Sequence, residues 1–187
     1  MPLIESSVET LRADIAAGPS PLFVIFSSKP GDDGKPWCGF CVKAEPDIER
    51  IFAGEPYGLL VKYGPNDITD PANWVFEDWR LPGVPAIFRV EDGQPAPLPT
   101  TYTDDFAADL QAYIAGPDQW EEQLKKTEGD KYQPFEVRLA EHNAQFDKIK
   151  VLIAEHRAKE AAKKAEEEAK EKAGGGAKVC TGDVCLV

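Results

Sequence analysis

Two cysteines separated by two residues, in Trp37-Cys38-Gly39-Phe40-Cys41, stand at the head of a helical pattern and just after an apolar run at 21–27. This placement constrains the fold more than any other feature, because a strand must deliver the chain to a helix whose first turn carries both sulfurs. The spacing lets them close a small ring without moving the backbone. It also leaves the first sulfur by the free N–H groups and positive dipole end of that helix, which favour a thiolate. Three uses fit such a pair: thiol–disulfide exchange, a stabilising disulfide, or half of a zinc site. The chain has no second Cys-x-x-Cys or Cys/His pair at finger spacing to complete a zinc site. It also meets Glu5 before any apolar stretch forms, so no signal peptide is read and the cytosol is the expected location. Cysteines stay reduced there, and a Cys-x-x-Cys reads as reactive or metal-binding rather than structural.

At 187 residues the chain holds one domain of roughly 100–150 residues and something extra. The formal charge of −12 lies in residues 1–134, since 135–187 carries ten Lys/Arg and ten Asp/Glu. An acidic domain repels phosphate backbones and anionic lipid, so neither nucleic acid nor a membrane is an expected partner. The longest apolar run, 22–26, is far short of the roughly 20 residues a membrane helix needs.

Ser6 and Glu9 have capping-box spacing ahead of Val8, Leu11 and Ile15, which predicts a helix ending at Gly18-Pro19. Residues 21–27 read as a strand buried on both faces. A loop follows at 29–36. Helical spacing returns over 38–52 through Val42, Ala44, Ile48, Ile51 and Phe52, with Pro46 expected to kink it. A second buried strand is expected at 57–63 and a short helix at 72–80, starting from Asp70-Pro71. A third strand at 86–90 turns at 91–94 into a short edge strand interrupted by Pro95, Pro97 and Pro99, before a helix at 103–115. This order predicts an α/β sandwich with a mixed sheet.

Beyond Gly116 the character changes. Asp118 and Glu121 have capping spacing before a brief helix at 120–126, and from Pro134 one long helix runs to the Gly174-Gly175-Gly176 break. Leu139, Phe146 and Ile153 form a sevenfold apolar seam with Ile149 between them, whereas 159–172 is only Ala, Glu and Lys, a polar helix. A seam this short predicts docking on the core rather than pairing with another chain. Residues 177–187 read as a mobile tail holding Cys180 and Cys185.

The stretch 23–51, with Trp37-Cys38-Gly39-Phe40-Cys41-Val42-Lys43-Ala44-Glu45-Pro46 inside it, resembles the thioredoxin superfamily, and Val84-Pro85 matches that superfamily's cis-proline site. A closer resemblance is to the thioredoxin domain-containing protein 17 family. It is carried by the loop Ser27-Ser28-Lys29-Pro30-Gly31-Asp32-Asp33-Gly34-Lys35-Pro36, by Cys41 to Pro46, and by Tyr63-Gly64 through Asp70-Pro71. The resemblance covers 1–116. It implies a thioredoxin fold, a central mixed sheet flanked by helices; it does not reach the C-terminal part, which the residue pattern divides into a helical extension at 117–173 and a flexible tail at 174–187. It further implies that Cys38, exposed at the helix start, attacks a substrate disulfide and that Cys41 resolves the mixed disulfide. Trp37, Gly39, Phe40, Val84 and a cis Pro85 would contact the substrate. Disulfide-containing peptides or proteins are the implied substrates. Thioredoxin reductase or glutathione is the implied electron donor, and no bound cofactor or metal is needed.

Two departures stand out. Thioredoxins usually place Gly-Pro between the cysteines and the closer family Pro-Asp, whereas this chain has Gly39-Phe40. The buried aspartate of the preceding strand aligns with Ile25, so Cys41 would depend on water or on Glu45, Asp32 or Asp33 and be the slower thiol. The tail pair Cys180 and Cys185 reads as incidental, as a metal-catching tail, or as a second redox pair exchanging with Cys38 and Cys41. The expected function is a thiol–disulfide oxidoreductase working as a disulfide reductase. The rival is a redox-regulated scaffold whose domain and helical extension recruit partners.

Overall fold

The computed structural model describes residues 3–31, 34–54, 56–68, 70, 72–98 and 105–174. Five strands form one mixed sheet: β1 (Ile4–Ser6), β2 (Leu22–Ser28), β3 (Gly58–Tyr63), β4 (Ala86–Glu91) and β5 (Gln94–Pro97), in the order β1-β3-β2-β4-β5. β1 and β2 run parallel to β3, while β4 is antiparallel to β2 and β5 to β4. The helices are α1 (Leu11–Ala17), α2 (Gly39–Phe52), α3 (Trp74–Asp78), α4 (Phe106–Ala115), α5 (Pro117–Glu128) and α6 (Phe135–Gly174). The chain forms two compact units, Met1–Asp147 and Lys148–Val187.

The buried run predicted near 21–27 is β2, every residue of which is buried. Proline at both Pro95 and Pro97 is tolerated because β5 lies at the sheet edge, where missing N–H donors face no neighbouring strand. β1 is a strand that periodicity does not reveal. It has three residues, and what makes it a strand is its pairing with β3, Ile4 opposite Leu59 and Ser6 opposite Val61. The Ser6 hydroxyl consequently caps nothing. It donates to the Asp14 carboxylate at 2.6 Å, and α1 begins only at Leu11. The capping spacing at Asp118 is unused as well: Gly116, with φ +139°, turns the chain and Pro117 opens α5.

On one side of the sheet, Phe23, Ile25 and Ile87 pack with Ala44, Ile48 and Phe52 of α2, with Phe106, Leu110 and Tyr113 of α4, and with Trp120 and Leu124 of α5. Phe26 centres a second aromatic cluster, its ring 5.8 Å from Tyr63, 5.9 Å from Trp79 and 5.7 Å from Phe88. Gly58 has no room for a side chain, since a Cβ there would lie 2.6 Å from Leu3 and 2.8 Å from Phe52. Phe146 of α6 is buried and meets the Phe76 ring at 4.9 Å, so this part of the seam docks on the core as expected. In the second unit α6 is polar, with i,i+4 pairs such as Glu166–Lys170 at 2.6 Å, but Val151 and Leu152 stand exposed.

Asp109 of α4 is buried, and its Oδ1 has no hydrogen-bond partner. Burial pushes its carboxyl up to about 6, helped by Asp105 and Glu128 and opposed by Arg138 and Gln123. An unfolded aspartate titrates near 3.9, so the folded chain holds this proton more tightly. The associated stability is present below about pH 4 and is lost as pH rises through about 6. Asp109→Asn is therefore expected to stabilise the protein near neutral pH, on the order of 1 kcal/mol, and to flatten this decline. Thermal melts across that window check it, and an unchanged pH dependence would rule it out.

Candidate functional site

β2 ends at Ser28, and its neighbour Lys29 donates its N–H to the Tyr63 carbonyl at 2.9 Å. The following loop folds on itself through a bridge between Pro30 and Pro36 and the bond from Gly31 N–H to the Lys35 carbonyl at 2.8 Å. Gly34 takes φ +75° at its tip, a conformation that suits glycine. The loop brings Trp37 back to the end of β3, where the indole Nε1–H donates to the same Tyr63 carbonyl at 2.9 Å. Tyr63 is itself held by its hydroxyl, which donates to Asn73 Oδ1 at 3.2 Å in the interior. Trp37 is thus anchored at its polar edge while 40% of its surface stays exposed.

Cys38 is the N-cap of α2. Its sulfur accepts the Cys41 N–H at 3.3 Å, satisfying one of the donors a helix start leaves unpaired. Its S–H donates to the Val84 carbonyl, also at 3.3 Å. The Val84–Pro85 peptide is cis, as the resemblance implied, and leads directly into β4. Cys38, expected to be exposed, is only 7% exposed, because its sulfur lies between the first helical turn and the Val84 backbone. The open surface belongs to its neighbours, with Phe40 61% exposed and Trp37 and Val42 also out in solvent. The structure thus gathers Trp37, Cys38, Cys41 and Val84-Pro85 in one place, with Gly39 and Phe40 on the first turn of α2.

Cys41 lies one turn inside the helix and is fully covered, with its thiol unbridged. Burial pushes this thiol up to about 11, the neighbouring Cys38 adds to the rise, and the hydroxyls of Ser28 and Ser27 oppose it. Ile25 sits fully buried between Leu60 and Ile87, so that strand position offers no acid. Among the described residues, the polar side chains acting on Cys41 are the hydroxyls of the two buried serines ending β2: Ser27 closes the strand expected at 21–27, and Ser28 follows it. Their signal was there, two hydroxyl residues directly after an apolar run. The Ser28 hydroxyl makes no hydrogen bond of normal geometry, so its influence on Cys41 is that of a nearby dipole. Glu45 is half-buried on α2, while Asp32, Asp33, Cys180 and Cys185 lie outside the described residues.

Chemically, the site offers a sulfur at a helix N-terminus, a second sulfur behind it, and a backbone carbonyl opposite. Among the described residues, no group of three or more His, Cys, Asp or Glu is arranged to hold a metal ion. Also among the described residues, no helix is long and apolar enough to cross a membrane. A cavity of about 370 Å³ opens beside the site at the ends of β1 and β3, lined by Ser6, Lys29, Tyr63, Asp67 and Asn73 among others.

Residues 4–94 match the family described as thioredoxin domain-containing protein 17-like, thioredoxin domain. Among solved structures, chloroplastic thioredoxin z is similar at 18% identity and a TM-score of 0.43, over 62% of this chain and 93% of that one. A thioredoxin of Trichomonas vaginalis is similar at 18% identity and a TM-score of 0.41, over 61% and 96% respectively. No curated protein matches the chain by sequence.

Proposed function

With residues 4–94 belonging to the thioredoxin domain-containing protein 17-like thioredoxin family, we propose that the chain is a thiol–disulfide oxidoreductase that reduces disulfides in peptides or proteins. One observation carries the proposal: the Cys38 sulfur caps α2 on the Cys41 N–H and faces the carbonyl of a cis Val84–Pro85 peptide. In this reading the Cys38 thiolate attacks one sulfur of a substrate disulfide, forming a mixed disulfide and expelling the other sulfur as a thiolate. Cys41 then loses its proton to water or to the departing sulfur and attacks Cys38. A Cys38–Cys41 disulfide forms and the substrate leaves with both sulfurs reduced. Two electrons pass to the substrate, and thioredoxin reductase or glutathione returns them.

Trp37, Gly39 and Phe40 would form the apolar rim around the reacting sulfurs, favouring disulfides flanked by apolar side chains. The Val84 backbone and Pro85 would line up an extended peptide. The proposal includes a cytosolic setting in which the pair rests as the dithiol. It also includes a division of the chain into a catalytic domain at 1–116, a helical extension at 117–173 and a tail at 174–187. Cys180 and Cys185 would serve as a second pair exchanging with the first. The rival use as a redox-regulated scaffold draws on the exposed Val151 and Leu152 of α6.

The test is a Cys41→Ser variant, which should stop the reaction at the mixed disulfide on Cys38. Peptide mapping of the captured adducts is expected to show substrate cysteines, or Cys180 or Cys185, joined to Cys38. Recovery of nothing covalent would reject the catalytic reading. Adducts without any peptide joining Cys38 to the tail would reject only the second pair.

A further inference from the structure

The family match ends at residue 94, and α6 lies wholly beyond it, yet α6 grips the start of the segment that carries Val84 to Cys38. Arg80, four residues before Val84, holds φ +53°, a backbone conformation uncommon outside glycine. Several different contacts from one helix meet it there. His142 Nε2 pairs with the Arg80 carbonyl at 3.1 Å. The guanidinium donates to Asp147 Oδ1 at 3.1 Å and to Asn143 Oδ1 at 3.5 Å, and it stands over the Phe146 ring, 5.5 Å from its centre.

These contacts are unequal. The Arg80–Asp147 pair is largely exposed, so it contributes little. Phe146 is 2% exposed and locked against Phe76, which fixes the position of this helix face. His142 is half-buried, and the carbonyl it faces needs a donor, so Nε2 carries the hydrogen. Burial lowers the His142 pKa and favours the neutral ring; the bond to the Arg80 carbonyl opposes this and the Arg80 charge adds to it. Past Arg80, Leu81 is fully buried, and the rings of Pro82 and Pro85 remove further torsional freedom. The segment is therefore tied at one end by α6 and meets the Cys38 thiol at the other.

We propose that the first turns of α6 are a brace for residues 80–85, with His142 and Phe146 as positioning residues that hold the Val84 backbone where a peptide substrate needs it. The inference rests on the reading that Cys38 and Cys41 exchange with substrate disulfides. It assigns to the extension a role in recognition of the substrate backbone. A disulfide without backbone amides has no use for that surface.

The experiment compares a disulfide-closed synthetic peptide with dithiobis-nitrobenzoate, an aryl disulfide lacking amides, in the full-length chain. His142→Ala is expected to raise KM for the peptide roughly tenfold while leaving kcat and the aryl-disulfide rate unchanged. His142→Gln, which retains an N–H donor, should restore the peptide KM. A folded His142→Ala protein with unchanged peptide KM, or with equal losses on both substrates, would overturn the brace. If His142→Ala fails to melt cooperatively, His142→Leu gives the same readout, because leucine keeps much of the half-buried volume but offers the Arg80 carbonyl no donor. A wild-type chain that reduces neither disulfide would reject the dithiol reading itself, and the brace with it.

Discussion

Cys38→Ser is expected to remove disulfide reduction by roughly a thousandfold or more, because a serine hydroxyl does not supply the nucleophile that a thiolate does. The loss should appear with both small and peptide disulfides, since the reacting atom itself is gone. Cys41 is a poor substitute: it is buried, and its thiol is pushed up to about 11, so little of it is ionised near neutral pH. The substitution is nearly isosteric, and a hydroxyl still accepts the Cys41 N–H as a helix cap. Stability should therefore change little, which a thermal melt run beside the activity assay checks. A Cys38→Ser chain that keeps its partner binding and cellular phenotype would instead favour the scaffold reading.

The second large effect concerns stability. Trp120→Ala is expected to cost about 3–5 kcal/mol, lowering Tm on the order of 10 °C. Trp120 is 1% exposed, edge-on to Tyr113 at 6.0 Å and to Phe135 at 5.6 Å, so truncation empties a site walled by α4 and the start of α6. Trp120→Phe should cost far less. It keeps most of the apolar contact, and it removes an indole N–H that is buried without an acceptor. Denaturant unfolding of the two variants tests this. Equal losses would mean that the indole N–H is not the liability the geometry indicates.

These two residues mark the range over which sequence reasoning worked. The surroundings of Cys38 were legible because the information is local: an apolar run, a turn-rich loop, then helical spacing with a cysteine at its first position. Trp120 read only as part of a brief helix, although it is a main element of the core, because burial of one residue depends on helices distant in sequence. β1 escaped notice for a related reason. Three residues with two polar side chains carry no periodicity, and the strand exists through hydrogen bonds offered by β3. The apparent capping boxes at Ser6 and Asp118 failed in the opposite direction, since spacing proposes a cap but the path of the chain decides which hydroxyl or carboxylate is near the helix end. Ser27 and Ser28 combined both problems. Ser27 reads as the last residue of a strand and Ser28 as the residue after it, while their position at the end of a fully buried strand places two hydroxyls beside Cys41.

By itself, the sequence determined the order of the main strands and helices and the presence of a dithiol on a helix start. Periodicity, turn residues and the two-residue spacing are properties of a short stretch of chain. Only the tertiary structure decided that Cys38 is nearly covered and bonded to the Val84 carbonyl, that the serines ending β2 adjoin Cys41, and that α6 holds Arg80. Each of these joins residues from different elements that are distant in sequence. Such contacts follow from how the sheet and helices stack to bury their apolar faces, which no local pattern encodes.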